Sequence, residues 1–175
     1  HRCGTDRIAE VVAKMEADVV INVQGDEPFV DKVSLKNLID VFYNDPQKEI
    51  ALASLMTPLH KSKEVQNPSV VKVIVDLNDY ALYFSRSPIP CDRDNDKSSR
   101  YFKHVGVYAF RKQALIEFSE QEVTPLEYAE KIECIRYLEH GNKIKMVVTE
   151  NLNFEIDTPK DLERAQKYLN QLSSK

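Results

Sequence analysis

The stretch VVINVQGDEP, residues 19 to 28, opens as an apolar, β-branched run and then breaks into Gln24-Gly25-Asp26-Glu27-Pro28. The run reads as a buried strand that ends in a turn. A turn is served by glycine and proline and does not require two adjacent carboxylates. In open α/β sheets, ligands gather beyond the carboxyl ends of strands, so this is the first place along the chain to expect a site. Gly25 lets the backbone approach a ligand, Asp26 offers hard oxygen to a cation such as Mg²⁺, and Pro28 stiffens the exit. A solvated turn with both acids facing water is the competing reading of these ten residues.

Upstream, Ile8, Val11, Val12 and Met15 recur at helical spacing after a Gly4-Thr5 break. Downstream, Ser34 is expected to cap a helix whose apolar face is Leu35, Leu38, Ile39 and Phe42. Residues 50 to 55 read as a second strand. Residues 70 to 77 read as a third, joined through Asn78-Asp79 to 80 to 85 as a hairpin. SPIPCDRDNDKSS, residues 87 to 99, has prolines and charges without a period and is expected to be a mobile loop. A strand from His104 and a short helix from about 111 follow. Thr124-Pro125-Leu126-Glu127 looks like a capping box opening one helix that Gly141 closes. Residues 143 to 149 form a last strand. Thr158-Pro159-Lys160-Asp161 starts a final helix with Leu162, Ala165, Leu169 and Leu172 as its inner stripe. The pattern predicts an α/β fold with a mixed central sheet.

The chain has 175 residues, 42% of them hydrophobic, which suits a single domain spanning 1 to 175. A net charge of −4 with scattered basic residues gives no footprint for nucleic acid or anionic lipid. No apolar run approaches the roughly 20 residues that a bilayer requires. Cys3, Cys91 and Cys134 are odd in number and far apart, which favours a reducing compartment, with the cytoplasm as default. The start at His1 reads as a piece of a longer chain.

Magnesium is usually held by one or two carboxylates plus substrate phosphates, so Asp26 calls for a second acid. Asp157, after an apolar segment and beside a helix start, is the best candidate; helping to cap that helix is the alternative. Arg86, at the end of a strand, carries a planar fork suited to a carboxylate or phosphate, or to a surface ion pair. His104 and Tyr108 share one strand face with Gly106 between them, which would leave room for a ligand; a core histidine is the other reading. On the helix expected over 124 to 140, Glu133 shares an apolar stripe with Leu126, Ala129 and Tyr137. It needs a partner, either Arg136 or a hydroxylated ligand.

Taken in order, QGDEP, ALYFSRSPIP, KHVGVYAFR, TPLEYAEKIECIRYLEHG and IDTPKDLERA resemble the 3-deoxy-manno-octulosonate (Kdo) cytidylyltransferases, also called CMP-Kdo synthetases. HRCGTDRIAEVV is similar to that family's H-x-S-G-T-[DE]-R segment. The resemblance implies a Rossmann-like nucleotidyltransferase fold with helices on both faces, usually dimeric. It also implies Mg²⁺-dependent transfer of CMP from CTP to the sugar acid Kdo in lipopolysaccharide synthesis. By position, Asp26 and Asp157 are expected as metal ligands and catalytic residues. Gln24, Arg86, His104, Tyr108 and Glu133 are expected at the sugar, and Gly4, Thr5 and Arg7 near the nucleotide. Cys3 stands where the family usually has serine, and Cys134 where a glutamine often follows the acid. The family's opening strand and basic glycine-containing loop have no counterpart here, so this chain alone is expected to turn over very little. Two other functions stay open: transfer to another sugar acid such as sialic acid, and a non-catalytic dimerising or ligand-binding scaffold.

Overall fold

The apolar run at residues 19 to 23 pairs with a longer strand over 101 to 111, which is the axis of the sheet. The computed structural model describes residues 3–94, 96, 99–150, 156 and 158–173. In chain order its elements are α1 (Gly4–Val12), β1 (Val19–Val23), α2 (Lys32–Tyr43), β2 (Leu52–Leu59), α3 (Ser62–Val65), β3 (Lys72–Val75), β4 (Ala81–Ser85), β5 (Tyr101–Arg111), α4 (Lys112–Glu120), α5 (Pro125–Glu130), α6 (Ile135–Glu139), β6 (Ile144–Val148) and α7 (Pro159–Ser173).

Along one edge β5 pairs antiparallel with β2. Along the other, its first half takes β3 and its second half takes β1, both antiparallel. β4 is the hairpin partner of β3, and β6 lies parallel to β2, so the six-stranded sheet is mixed. β5 sends Tyr108 and Phe110 to one face and Val105, Val107 and Ala109 to the other. The first face packs against Ala9 and Val12 of α1, Leu115 and Phe118 of α4, and Ile135 and Tyr137 of α6. The second is covered by Leu38 and Phe42 of α2. Helices therefore lie on both faces.

The ladder between β2 and β5 slips once: Ser54 opposes Tyr108, yet Leu55 opposes Val105. Gly106 and Val107 are the surplus, and such a bulge bends a strand where it occurs. It falls beside the end of β1, where the functional cleft opens.

Five local expectations need correction. Gly4-Thr5 is not a break, because α1 begins at Gly4 with Cys3 as its N-cap. Asp31 rather than Ser34 caps α2, accepting from the backbone N–H groups of Val33 and Ser34 at 2.8 and 3.1 Å. The segment 124 to 140 is two helices, since Lys131 adopts φ 55°, ψ 46° and ends α5 in the left-handed region. Glu139 of α6, not Thr124, receives the N–H groups of Leu126 and Glu127. Gly141, with φ 79°, does close the second helix. On α7 the Thr158 and Asp161 box forms, Asp161 accepting from the Thr158 N–H at 3.0 Å. Its inward face is Ala165 and Tyr168, whose ring meets Phe29 edge-on at 5.4 Å, while Leu162 and Leu169 are each 49% exposed. The side chain of Leu172 lies outside the described residues.

Candidate active site

The two carboxylates after β1 part company. The turn closes through the Glu27 N–H on the Gln24 carbonyl at 3.0 Å. Glu27 swings inward and is buried, and its Oε1 accepts the Gly106 N–H at 3.1 Å, so it satisfies an amide at the β5 bulge. Asp26 stays half-buried and faces a cleft of about 350 Å³. Among the described residues no hydrogen bond or ion pair engages its carboxylate. Its backbone carbonyl accepts the N–H of Ile156 at 2.9 Å. Asp157, next in sequence, lies outside the described residues.

The cleft gathers side chains from five places in the fold. Gln24 and Asp26 come from the end of β1, Arg86 from the end of β4, His104 and Tyr108 from β5, and Glu133 from the α5–α6 break, with Gly4 of α1 at its edge. A Cβ on Gly4 would sit 3.1 Å from Gln24 Oε1, so glycine there lets Gln24 lie against the start of α1. The room above Gly106 is not open, because Gln24 Cγ and Glu27 Cγ stand 3.5 and 3.7 Å from where its Cβ would be. Thr5 is fully buried beneath the cleft, and Arg7 is exposed and does not line it.

Arg86 is fixed from several sides. Its Nε donates to the Glu130 carbonyl at 2.7 Å, and its terminal nitrogens donate to the carbonyls of Pro68 at 3.0 Å and Lys131 at 3.3 Å. Among the described residues these occupy three of the five guanidinium N–H groups. Its backbone N–H donates to the Glu130 carboxylate at 2.9 Å, and its carbonyl accepts from Lys72 Nζ. Lys72 is fully buried and also donates to the carbonyls of Asn67 and Val70. Burial lowers its pKa, partly countered by Glu130 and reinforced by Arg86. Neither Lys72 nor Glu130 stands out in the sequence-based reading. The available signal was a lysine in the apolar run VVKVIV, where solvent cannot take it.

His104 and Tyr108 lie with ring centroids 5.4 Å apart, and Phe84 meets the imidazole edge-on at 4.9 Å. Ser54 Oγ lies 2.9 Å from both His104 Nε2 and the Val107 carbonyl. A hydroxyl has one hydrogen, and only Ser54 can supply it to the carbonyl; His104 Nε2 therefore carries its proton toward Ser54, and Nδ1 is left as an acceptor. Burial, with a smaller contribution from Lys103, pulls the His104 pKa down to about 3. The ring is neutral at any physiological pH, so it can offer a ligand hydrogen bonds but no charge. The unfolded chain binds this proton below about pH 6.5. Stability from His104 is thus fully present above that pH and lost as the pH falls toward 3. Replacing His104 by glutamine should make the fall in urea midpoint between pH 7 and pH 4 shallower; parallel slopes for variant and parent would contradict the buried neutral ring.

Glu133 is not on a helical stripe, and Arg136 is not its partner. Its Oε1 accepts the Thr5 hydroxyl at 2.6 Å, and Cys3 contributes a thiol hydrogen bond. Burial first, then the charge of Glu133, pushes the Cys3 pKa up to about 12, which keeps the thiol protonated as a donor. Cys134 points away from the cleft toward the Tyr108 hydroxyl, and burial raises the pKa of both groups.

This geometry belongs to a known lineage. The cytidylyltransferase family profile matches residues 1 to 144. A 3-deoxy-manno-octulosonate cytidylyltransferase of Christiangramia forsetii is 57% identical over 169 residues, covering 97% of this chain and 68% of that protein. This chain belongs to the 3-deoxy-manno-octulosonate cytidylyltransferase family. The Flavobacterium johnsoniae family member is 53% identical, with 97% and 69% of the two chains covered. Among solved structures, a CMP:2-keto-3-deoxy-manno-octonic acid synthetase complexed with CTP superposes with TM-score 0.90 at 38% identity, over 98% of this chain and 69% of that one. A 4-diphosphocytidyl-2C-methyl-D-erythritol synthase from Anaerococcus prevotii, 17% identical with TM-score 0.57, shares the fold. The mixed sheet covered on both faces is thus the fold of this cytidylyltransferase family.

Proposed function

We propose that this protein transfers CMP from CTP to Kdo, giving CMP-Kdo and pyrophosphate. The observation that carries the reading is the convergence of Gln24, Asp26, Arg86, His104, Tyr108 and Glu133 on one cleft, in a family named for that reaction. Arg86 offers its two remaining N–H groups to the sugar carboxylate. Neutral His104 and Tyr108 serve as uncharged hydrogen-bond partners for sugar hydroxyls, and Glu133 accepts from another. The anomeric oxygen bonds to the α-phosphorus as the bond to the bridging oxygen breaks, and pyrophosphate departs. The chain's contribution is to hold the two reactants in line, which needs no covalent enzyme intermediate.

Mg²⁺ is part of this proposal. The fit of the residues rests on Asp26, a hard oxygen donor at the cleft with no other engagement among the described residues. Among those residues no cluster of three or more histidine, cysteine or acidic side chains could hold a metal alone. That suits an ion sharing its coordination with substrate phosphates. Asp157 would be the second ligand, supported by the bond from its chain neighbour Ile156 to the Asp26 backbone. When bound, Mg²⁺ offsets charge on the triphosphate and acidifies the attacking hydroxyl.

A place in lipopolysaccharide synthesis, in the cytoplasm, belongs to the same reading; no helix among the described residues is long and apolar enough to cross a membrane. A homodimer is also part of it, supported by the exposed apolar Leu126 and Tyr128 of α5. The test is product formation by the full-length protein from CTP, Mg²⁺ and Kdo, with sialic acid in parallel. CMP-Kdo alone is expected, and transfer to sialic acid but not to Kdo would replace the substrate.

A further inference from the structure

Glu133 sits in the irregular link between α5 and α6, so no helix or strand fixes its side-chain direction. What reaches its carboxylate from below is a two-step chain. Thr5 Oγ1, in the first turn of α1, donates to Glu133 Oε1 at 2.6 Å, and Asn22 Nδ2, from β1, donates to Thr5 Oγ1 at 3.0 Å. Thr5 and Asn22 are both buried, and neither lines the cleft. The order of the chain is set by hydrogen count. Asn22 fills the acceptor side of the Thr5 hydroxyl, so its single hydrogen is directed to Glu133. Because the pair is sealed from solvent, water cannot stand in for either donor.

We propose that Thr5 and Asn22 are positioning residues for the sugar acid, which hold the Glu133 carboxylate in the orientation that receives a substrate hydroxyl. The inference rests on the reading of Glu133 as a sugar contact. It gives Thr5 a role different from nucleotide contact, since its hydroxyl is committed beneath the cleft floor.

The test is steady-state kinetics of the full-length protein with CTP and Kdo varied separately. Thr5→Val removes the hydroxyl at nearly constant shape and should raise KM for Kdo on the order of tenfold, the loss expected for a hydrogen bond to a charged group. KM for CTP and kcat should stay within about threefold, and Thr5→Ser, which keeps the hydroxyl, should restore the parent KM. Asn22→Asp keeps the size but introduces an acceptor that takes the Thr5 hydrogen, and should raise KM for Kdo in the same selective way. Unchanged KM for Kdo in both variants, or an equal rise for both substrates, overturns the proposal. If Thr5→Val does not fold, Asn22→Asp decides by the same criteria; if neither folds, the pair is scaffold and the proposal fails. A parent enzyme that makes no CMP-Kdo would instead sink the functional reading, whereas an active parent with indifferent variants sinks only this inference.

Discussion

Replacing Asp26 by asparagine is expected to lower kcat about a thousandfold in the full-length protein while leaving its urea midpoint nearly unchanged. The two halves of this expectation have separate causes. The Asp26 carboxylate engages nothing among the described residues, so its loss breaks no structural contact, and a loop change of this kind usually costs under about 0.5 kcal/mol. The backbone bond from Ile156 to Asp26 is unaffected by the side-chain change. On the proposed reading the variant gives up a ligand to Mg²⁺, and the charge stabilisation a bound metal supplies is worth several kcal/mol, at about 1.4 kcal/mol per factor of ten. Initial rates of pyrophosphate release at saturating CTP and Kdo give kcat, and denaturation of the same preparation gives stability. Turnover within tenfold of the parent would remove Asp26 from the mechanism.

The second large effect is on stability and sits one layer beneath the cleft. Arg136 is buried, and its Nε and a terminal nitrogen donate to the two oxygens of Glu127 at 2.7 and 2.6 Å. Its other terminal nitrogen reaches the Gln121 carbonyl at 3.2 Å, and the guanidinium lies over Phe118 at 4.9 Å. Glu127→Ala leaves that cation stranded without water and should destabilise the fold by about 3–5 kcal/mol. Changing both partners, Glu127→Leu with Arg136→Met, should recover most of the loss, because the desolvation of both charges is then relieved. Urea denaturation of the two variants checks this. Equal losses for the single and double changes would mean that packing around Phe118, rather than the charge pair, carries the effect.

Much of the fold is legible because the strands carry it. The β-branched run at 19 to 23, the alternation through His104 to Phe110 and the Asn78-Asp79 turn each permit one local conformation, and the structure adopts it. The misreadings share a different cause. Lys131 ends α5 in a left-handed conformation without being glycine or asparagine, so the sequence shows an uninterrupted helical period across a break. Ser34 looks like a cap, but its Oγ donates to Asp31 and lies 2.6 Å from Thr149 Oγ1, a neighbour far away in sequence. On α7 Ala165 is buried as expected, but Leu162 and Leu169 are exposed, and it is Tyr168 that docks on Phe29.

The site divides in the same way. Gln24, Asp26, Arg86, His104, Tyr108 and Glu133 are picked out by the family resemblance, and all reach one cleft. Composition and spacing alone leave Arg86 open between a ligand contact and an ion pair, and His104 between a ligand contact and a core residue. Their supports, Lys72, Glu130 and Asn22, are missed because polar side chains in apolar surroundings take their meaning from partners far away in sequence.

The left-handed Lys131 at the end of α5 separates Glu133 from the helix that carries Glu127 and Glu130. Glu127 turns to Arg136, Glu130 to Ser85 and the Arg86 backbone, and Glu133 to Thr5. On a continuous helix Glu133 would instead follow Glu130 along one side of α5. If Glu133 contacts the sugar as proposed, mending the interruption would aim that carboxylate the wrong way, and a sturdier protein would grip Kdo poorly.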